Sequence, residues 1–382
     1  MIKNDHKVSL DICIIAKNEE DNLRKTLPYS LAGADNVIVV DTGSTDSTKK
    51  VADDLGAKVF DFEWIGDFAA ARNFALKQSK AQWIMRLDAD EHMPAEDSDR
   101  LRRFLDITQC SLINLPVLEC FYGQSDPKNI WFRQSVFRNL EGVHFERAVN
   151  ERIVFPDGIN VEECGLNDVR VIHWSLGLPD EKLKYKNISR LKLLEDAVKN
   201  NPGDPFYVYL LAQRHMRFLK PPDMTKAEAN FTHLIDMIDS GDQKWKYLKH
   251  AGYAERGHLF LSKQEYDLAE MDANAALDMD DSFIEPYIIL ATIYLVRKDN
   301  DNALTILKKA CSLKKKQHPV IGENEFFWNV VRNSFYASCL FEAKRYEEAL
   351  VYYQLVIDAG YNVEKTKSTV ATIKSALRQK DH

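Results

Sequence analysis

The chain has 382 residues, 45% of them hydrophobic, enough for a sizeable core and for two domains of ordinary size. A net charge of -7 excludes the strongly basic face that phosphate neutralisation needs, so no nucleic-acid partner is expected, and Lys314-Lys315-Lys316 reads as solvated helix surface. Six scattered cysteines without a CxxC pair exclude a zinc site. No apolar run approaches the roughly 20 residues of a membrane span, and residues 1–20 lack a signal or transit pattern, so a cytoplasmic protein is expected.

The first half alternates strands and helices. Leu10 to Ala16 is a short apolar run of the kind found in a buried strand, and a helix is expected from about Glu20 to Leu31. Val37 to Val40 forms the next strand and ends at Asp41. The turn Thr42-Gly43-Ser44-Thr45-Asp46 follows, with Ser44 or Thr45 as N-cap of a helix reaching about Leu55. A strand over Lys58 to Phe62, a helix over about Phe68 to Gln78 and a strand over Trp83 to Leu87, stopping at Asp88, complete the pattern. Such alternation predicts an α/β fold with a mostly parallel sheet, whose ligands sit beyond the carboxyl ends of the strands; Asp41 and Asp88 both fall there.

From Asp180 onward the pattern is helical. Gly257, Phe260, Ala269, Ala273 and Ala276 recur 34 residues later as Ala291, Tyr294, Ala303, Leu307 and Ala310, the spacing of a tetratricopeptide (TPR) repeat. Ala337, Leu340, Ala349, Tyr353 and Val356 form a further copy after an insertion, and Ala212, His215, Phe231 and Leu234 a looser earlier one. The expected organisation is an α/β domain over 1–180 followed by an all-α, TPR-like domain over 181–382.

Asp88-Ala89-Asp90, followed by Glu91, gathers carboxylates on one loop. Alternate residues of an extended segment point to opposite sides, so Asp90 is the candidate for a hard cation, Mn2+ or Mg2+, and Asp88 for a ribose hydroxyl or an outer-shell water. Arg72 is expected to pair either with Asp67 or with phosphate, and Lys17 either faces phosphate or is exposed.

Four segments in order, Ile14 to Glu20, Val39 to Asp46, Asp67 to Asn73 and Trp83 to Glu91, resemble the family 2 glycosyltransferases, which have the GT-A nucleotide-sugar-binding fold. The nearest likeness is to the branch with a C-terminal TPR-like region, which includes the peptide S-glycosyltransferases of glycocin biosynthesis. The resemblance implies a nucleotide-sugar site at Ala16, Asn18, Glu19, Asp41, Arg72, Asp88 and Ala89. In it Asp41 serves the base, Asp88 the ribose side and Arg72 the nucleotide or diphosphate. It implies a metal held by Asp90 and His173, and a general base at Glu151 in Val149-Asn150-Glu151, where the branch usually has V-H-E. Ala16 stands where many relatives have Thr.

The expected activity is inverting, metal-dependent transfer from a UDP-sugar to an acceptor, with no membrane span. The TPR-like half binds a peptide or protein acceptor or makes a homodimer. The rivals are a non-catalytic TPR adaptor with a decayed transferase domain, and a nucleotidyltransferase, for which the Gly-rich basic loop is missing.

Overall fold

The computed structural model describes residues 7–177, 179–238, 244–314, 326–360 and 363–380. Residues 1–6 of the N-terminal stretch and Lys315 and Lys316 of the lysine run lie outside the described residues. The chain divides into two compact units, Met1–Leu193 and Leu194–His382. The division falls inside the helix Asp180–Asn200, whose first residue is the last of the domain expected over 1–180.

In the first unit, β1 (Leu10–Ala16), α1 (Glu20–Gly33), β2 (Asn36–Asp41), α2 (Thr48–Leu55), β3 (Lys58–Asp61), α3 (Phe68–Gln78) and β4 (Trp83–Asp88) follow the alternation expected. Their strands pair in parallel in the order β3-β2-β1-β4. Leu10, Ile12 and Ile14 pack with Leu23 and Leu27 of α1 on one face, while Cys13 packs with Ala75 and Leu76 of α3 on the other. Burial on both faces is why β1 is apolar without a break from Ile12 to Ala16, while Asp11 near its start is satisfied by Asn36 and Ser79.

The N-terminus of α2 differs from expectation. The helix starts at Thr48 with Ser47 in the cap position, because Ser44 and Thr45 are held in the preceding loop by Asp41 and Asn18.

Beyond β4 come β5 (Glu91–His92), α4 (Ala95–Leu105), β6 (Leu112–Phe121), β7 (Pro127–Arg138), β8 (His144–Glu146), β9 (Arg152–Val154), β10 (Glu163–Gly165) and β11 (Val171–Leu176). The main sheet runs β3-β2-β1-β4-β7-β6-β11-β5, with β10 also on β6. β7 is antiparallel to both β4 and β6, and β5 is antiparallel to β11, with His173 opposite Glu91. This register carries His173 to the carboxyl end of β4.

After α5 (Asp180–Asn200) the second unit is all helix: α6 (Pro205–Gln213), a π-helical turn at Arg214–Phe218, α7 (Met224–Met237), α8 (Lys246–Ser262), α9 (Tyr266–Met279), α10 (Glu285–Val296) and α11 (Asn300–Ser312). A second π-helical turn at Phe327–Val331 leads into α12 (Arg332–Glu342), α13 (Tyr346–Asp358) and α14 (Val363–Lys380). The repeat positions Ala269, Ala273, Ala276, Ala291, Ala303, Leu307, Ala310, Ala337, Leu340 and Ala349 are all fully buried. A Cβ on Gly257 would lie 3.0 Å from Ile289 Cδ1, so α8 and α10 pack closely there and a larger residue would have to push the end of the Ile289 side chain aside.

Three of the four repeats turn by the same device. Gln264, Lys298 and Lys344 have φ of 61°, 59° and 58°, and the following N–H groups, of Glu265, Asp299 and Arg345, donate back to the carbonyls of Phe260, Tyr294 and Leu340.

Candidate active site

The pairing register sets two carboxylates around the end of β1: Asp41 lies opposite Ala16, and Asp88 opposite Ile15. Asp41 is 1% exposed. Its Oδ1 accepts the N–H groups of Gly43 (3.0 Å) and Ser44 (2.9 Å), but its buried Oδ2 has no hydrogen-bond partner. Such an oxygen is costly to leave unmatched, which makes it an acceptor suited to a ligand N–H or O–H.

The two loops beside Asp41 are stitched together. Asn18, in the left-handed region with φ 55°, donates its N–H to Ser44 Oγ (2.9 Å) and accepts the Thr45 N–H at Oδ1 (2.7 Å). Glu19 donates its N–H to Thr48 Oγ1 at 2.7 Å. The Ala16 carbonyl accepts both the N–H (2.9 Å) and the hydroxyl (3.1 Å) of Thr42, so the hydroxyl missing at Ala16 has a counterpart on the adjoining strand end. Lys17 is exposed.

The Asp88-Ala89-Asp90 loop is fixed residue by residue. The Asp88 N–H donates to Glu91 Oε2 (2.9 Å), the Ala89 carbonyl accepts the Thr26 hydroxyl (2.9 Å), and the Asp90 carbonyl accepts the Trp174 N–H (3.0 Å). Glu91, fully buried, accepts both terminal nitrogens of Arg133 at 2.7 Å. Asp88 Oδ1 accepts from Arg72 Nη2 at 2.5 Å, and Asp88 Oδ2 lies 3.9 Å from Arg133 Nη1. Burial works against the charged Asp88, but Arg72, Arg133 and Arg86 together hold its carboxyl well below the usual range. Its side chain remains 39% exposed, so it keeps a face for a ligand.

Arg72 stands in the first turns of α3, where Asp67 caps the helix by accepting the Ala70 N–H (2.9 Å). Asn73 ties the helix to β8, accepting the Phe145 N–H (2.7 Å) and donating to its carbonyl (2.8 Å). The pairing of Arg72 with Asp67 therefore gives way to another: Arg72 bridges Asp88 and Glu151, the latter through Nε at 2.5 Å.

Glu151 sits among different partners from those its neighbours in sequence suggest. Arg152 pairs with Glu146 and Arg138 with the carbonyls of Cys110 and Thr108, while Glu151 Oε1 accepts from Arg72 and, at 3.2 Å, from Arg86. Burial would raise the Glu151 carboxyl, but the charges of Arg72 and Arg86 leave it below its ordinary range. Held between two arginines, Glu151 positions Arg72; to act as the general base expected from V-N-E it would have to take up a proton from within that pairing. Asn150 itself has φ 55°, a conformation that Asn tolerates.

Asp90 and His173 do come together, with His173 Nε2 3.4 Å from Asp90 Oδ2. Burial disfavours protonation of His173, but the hydrogen bond and charge of Asp90 outweigh it and raise its pKa. Trp131 stands edge-on to the same imidazole, and Lys186 Nζ of α5 lies 3.8 Å from the same Asp90 oxygen. Asp88 and Asp90 thus have separate partners, as alternation in an extended segment implies. Among the described residues no group of three or more His, Cys, Asp or Glu side chains is gathered for a metal, so any ion here would need ligands beyond Asp90 and His173.

Arg133, Arg86 and Lys186 carry no local motif. Arg133 could have been suspected only from its place two residues from Trp131 on a strand, and Lys186 reads as one more charge on a solvated helix.

Residues 11–159 match the Glycosyl transferase family 2 profile. Among curated proteins, a TPR repeat-containing protein of Synechococcus elongatus is 33% identical over 144 residues, 38% of this chain and 35% of that one. An uncharacterized glycosyltransferase of Rickettsia bellii is 40% identical over 88 residues, 23% of this chain and 30% of that one. The glycosyltransferase SunS of Bacillus phage SPbeta is 23% identical over 207 residues, 52% of this chain and 47% of that one. The matches span about a third to a half of the length of these relatives. Among solved structures, S. aureus TarS is 14% identical with a TM-score of 0.40, covering 68% of this chain and 54% of that one. Residues 11–159 are thus similar to the family 2 glycosyltransferases, and the C-terminal half is a TPR-like helical region.

Proposed function

We propose that the chain transfers a sugar from a UDP-sugar to a nucleophilic acceptor, with inversion at the anomeric carbon. The observation that carries this reading is the buried, unpartnered Oδ2 of Asp41 next to the strand end that carries Asp88 and Asp90. Asp41 Oδ2 would accept the N–H of the base, and the exposed face of Asp88 a ribose hydroxyl. Arg72, locked between Asp88 and Glu151, keeps the Asp88 carboxylate ionised and aimed.

The oxygen of Asp90 and the imidazole nitrogen of His173 are a donor pair suited to Mn2+ or Mg2+, with the donor's phosphate oxygens completing the shell. When bound, the ion would neutralise charge growing on the departing diphosphate. To serve as a ligand, His173 must be neutral at Nε2, the atom it now turns to Asp90.

In the transfer, a bond forms from the acceptor atom to the anomeric carbon as the bond from that carbon to the diphosphate breaks, and the acceptor's proton passes to solvent. Glu151 is already held by two arginines, so the reading favours an acceptor that needs little help from a base. A thiol is such a group, and a peptide or protein side chain bound by the TPR-like unit is the acceptor class we favour over a homodimer role for that unit.

The test is turnover of a panel of UDP-sugars with and without Mn2+, for wild type and Asp90→Ala. Metal-dependent UDP release from one sugar, reduced about 100-fold or more in the variant, supports the reading. Absence of both binding and turnover would favour the adaptor instead.

A further inference from the structure

We propose that Lys186, on α5, is a diphosphate-binding residue of the donor site: it pairs with Asp90 when the site lacks a donor and turns to the diphosphate when one binds. The inference rests on the donor reading above and adds to it a residue outside the matched segment 11–159.

The three arginines at the strand ends are committed. Arg72 is fixed by Asp88 and Glu151, Arg133 by both oxygens of Glu91, and Arg86 by Glu151 and the Gln134 carbonyl. Their side chains are 6%, 15% and 13% exposed, and turning any of them toward a ligand would take a charged partner from a buried carboxylate. Lys186 is different. Its side chain is 41% exposed, and its 3.8 Å separation from Asp90 Oδ2 is an ion pair too long for a good hydrogen bond. An ammonium on a flexible stem can change partners at small cost, which a buried guanidinium cannot.

The helix that carries it is also anchored beside the site. Two turns beyond Lys186, the Leu193 side chain lies 3.6 Å from where a Cβ on Gly66 would stand, next to the Asp67 cap of α3. α5 therefore runs from the Asp90–His173 pair toward the helix that bears Arg72. If Asp90 held a metal, Lys186 would be left without that partner at the place where the negative charge of the diphosphate arrives, and would share in neutralising the leaving group.

The experiment is calorimetric titration of the full chain with UDP and with UMP in Mn2+ buffer, for wild type, Lys186→Ala, Lys186→Arg and Lys184→Ala, with circular dichroism to check folding. Lys186→Ala should weaken UDP about tenfold, the size of one charge-assisted contact, and change UMP much less. Lys186→Arg should keep most of the UDP affinity, and Lys184→Ala, exposed on the same helix, all of it. Equal affinity of Lys186→Ala and wild type for UDP, or equal losses for UDP and UMP, would overturn the role of Lys186 while leaving the donor reading standing. Failure of wild type to bind UDP would overturn the donor reading, and this inference with it.

Discussion

The two units bury different things. At the strand ends of the first unit, enclosed side chains are charged: Asp41, Arg72 and Glu91 are each at most 5% exposed, Arg72 and Glu91 are linked through Asp88 and Arg133, and Asp41 stands apart with its Oδ2 held by nothing. In the helical unit, the corresponding positions are alanines and a glycine that let helices approach, and the buried Arg256–Asp272 pair is an exception. Apolar closeness stabilises by packing and can be repeated every 34 residues; a buried charge cluster adds little net stability and is worth keeping mainly for what it binds. The contrast is the one expected if, as proposed above, the first unit carries the chemistry and the helical unit a scaffold or docking role.

The sharpest way to break that contrast is at its exception. Asp272, fully buried in α9, accepts two 2.8 Å hydrogen bonds from Arg256, which also donates to Thr232. Asp272→Ala should destabilise the helical unit by about 3–5 kcal/mol, because it leaves a guanidinium buried without its partner. Chemical denaturation would show this as an earlier transition, and UDP affinity measured on the protein that remains folded should not change.

Glu151 sharpens the comparison from the other side. Glu151→Gln should lower stability by about 1–3 kcal/mol, since Arg72 and Arg86 lose a charged acceptor. It should also weaken UDP binding through a displaced Asp88. A residue acting only as base would behave otherwise: the variant would keep wild-type stability and UDP affinity and lose kcat alone.

A further effect concerns pH. His258 in α8 stacks on Phe327, and burial followed by the charge of Arg217 pushes its pKa down from 6.5 to about 4. It is therefore neutral in the folded protein where the unfolded chain already takes up a proton. Its contribution to stability is complete above pH 6.5 and is lost as pH falls from 6.5 toward 4. His258→Phe should flatten the stability profile in that window, as followed by thermal melts; an unchanged profile would mean that the imidazole is solvated.

How much of this was legible beforehand follows from how far apart the cooperating residues lie. The β1–β4 core was readable because a doubly covered parallel strand is a continuous apolar run, and the repeats because small residues recur at fixed spacing. Asp41, Asp88 and Asp90 were visible as carboxylates at strand ends. The β6–β7 pairing was not, because the outer half of β7 mixes exposed Lys128, Asn129, Ile130 and Phe132 with the half-buried Trp131. Arg72 meets Glu151 across 79 positions, Arg133 meets Glu91 across 42, and Lys186 reaches Asp90 from a helix with no motif at all. Only the register of the folded sheet brings such pairs together.

The most direct test of the central claim, that the donor site lies at the ends of β1, β2 and β4, is hydrogen–deuterium exchange of the full chain with and without UDP and Mn2+. The account predicts added protection in residues 16–20, 41–48 and 88–92, with none in 246–312. Protection confined to the helical unit, or absent at saturating UDP, would contradict it.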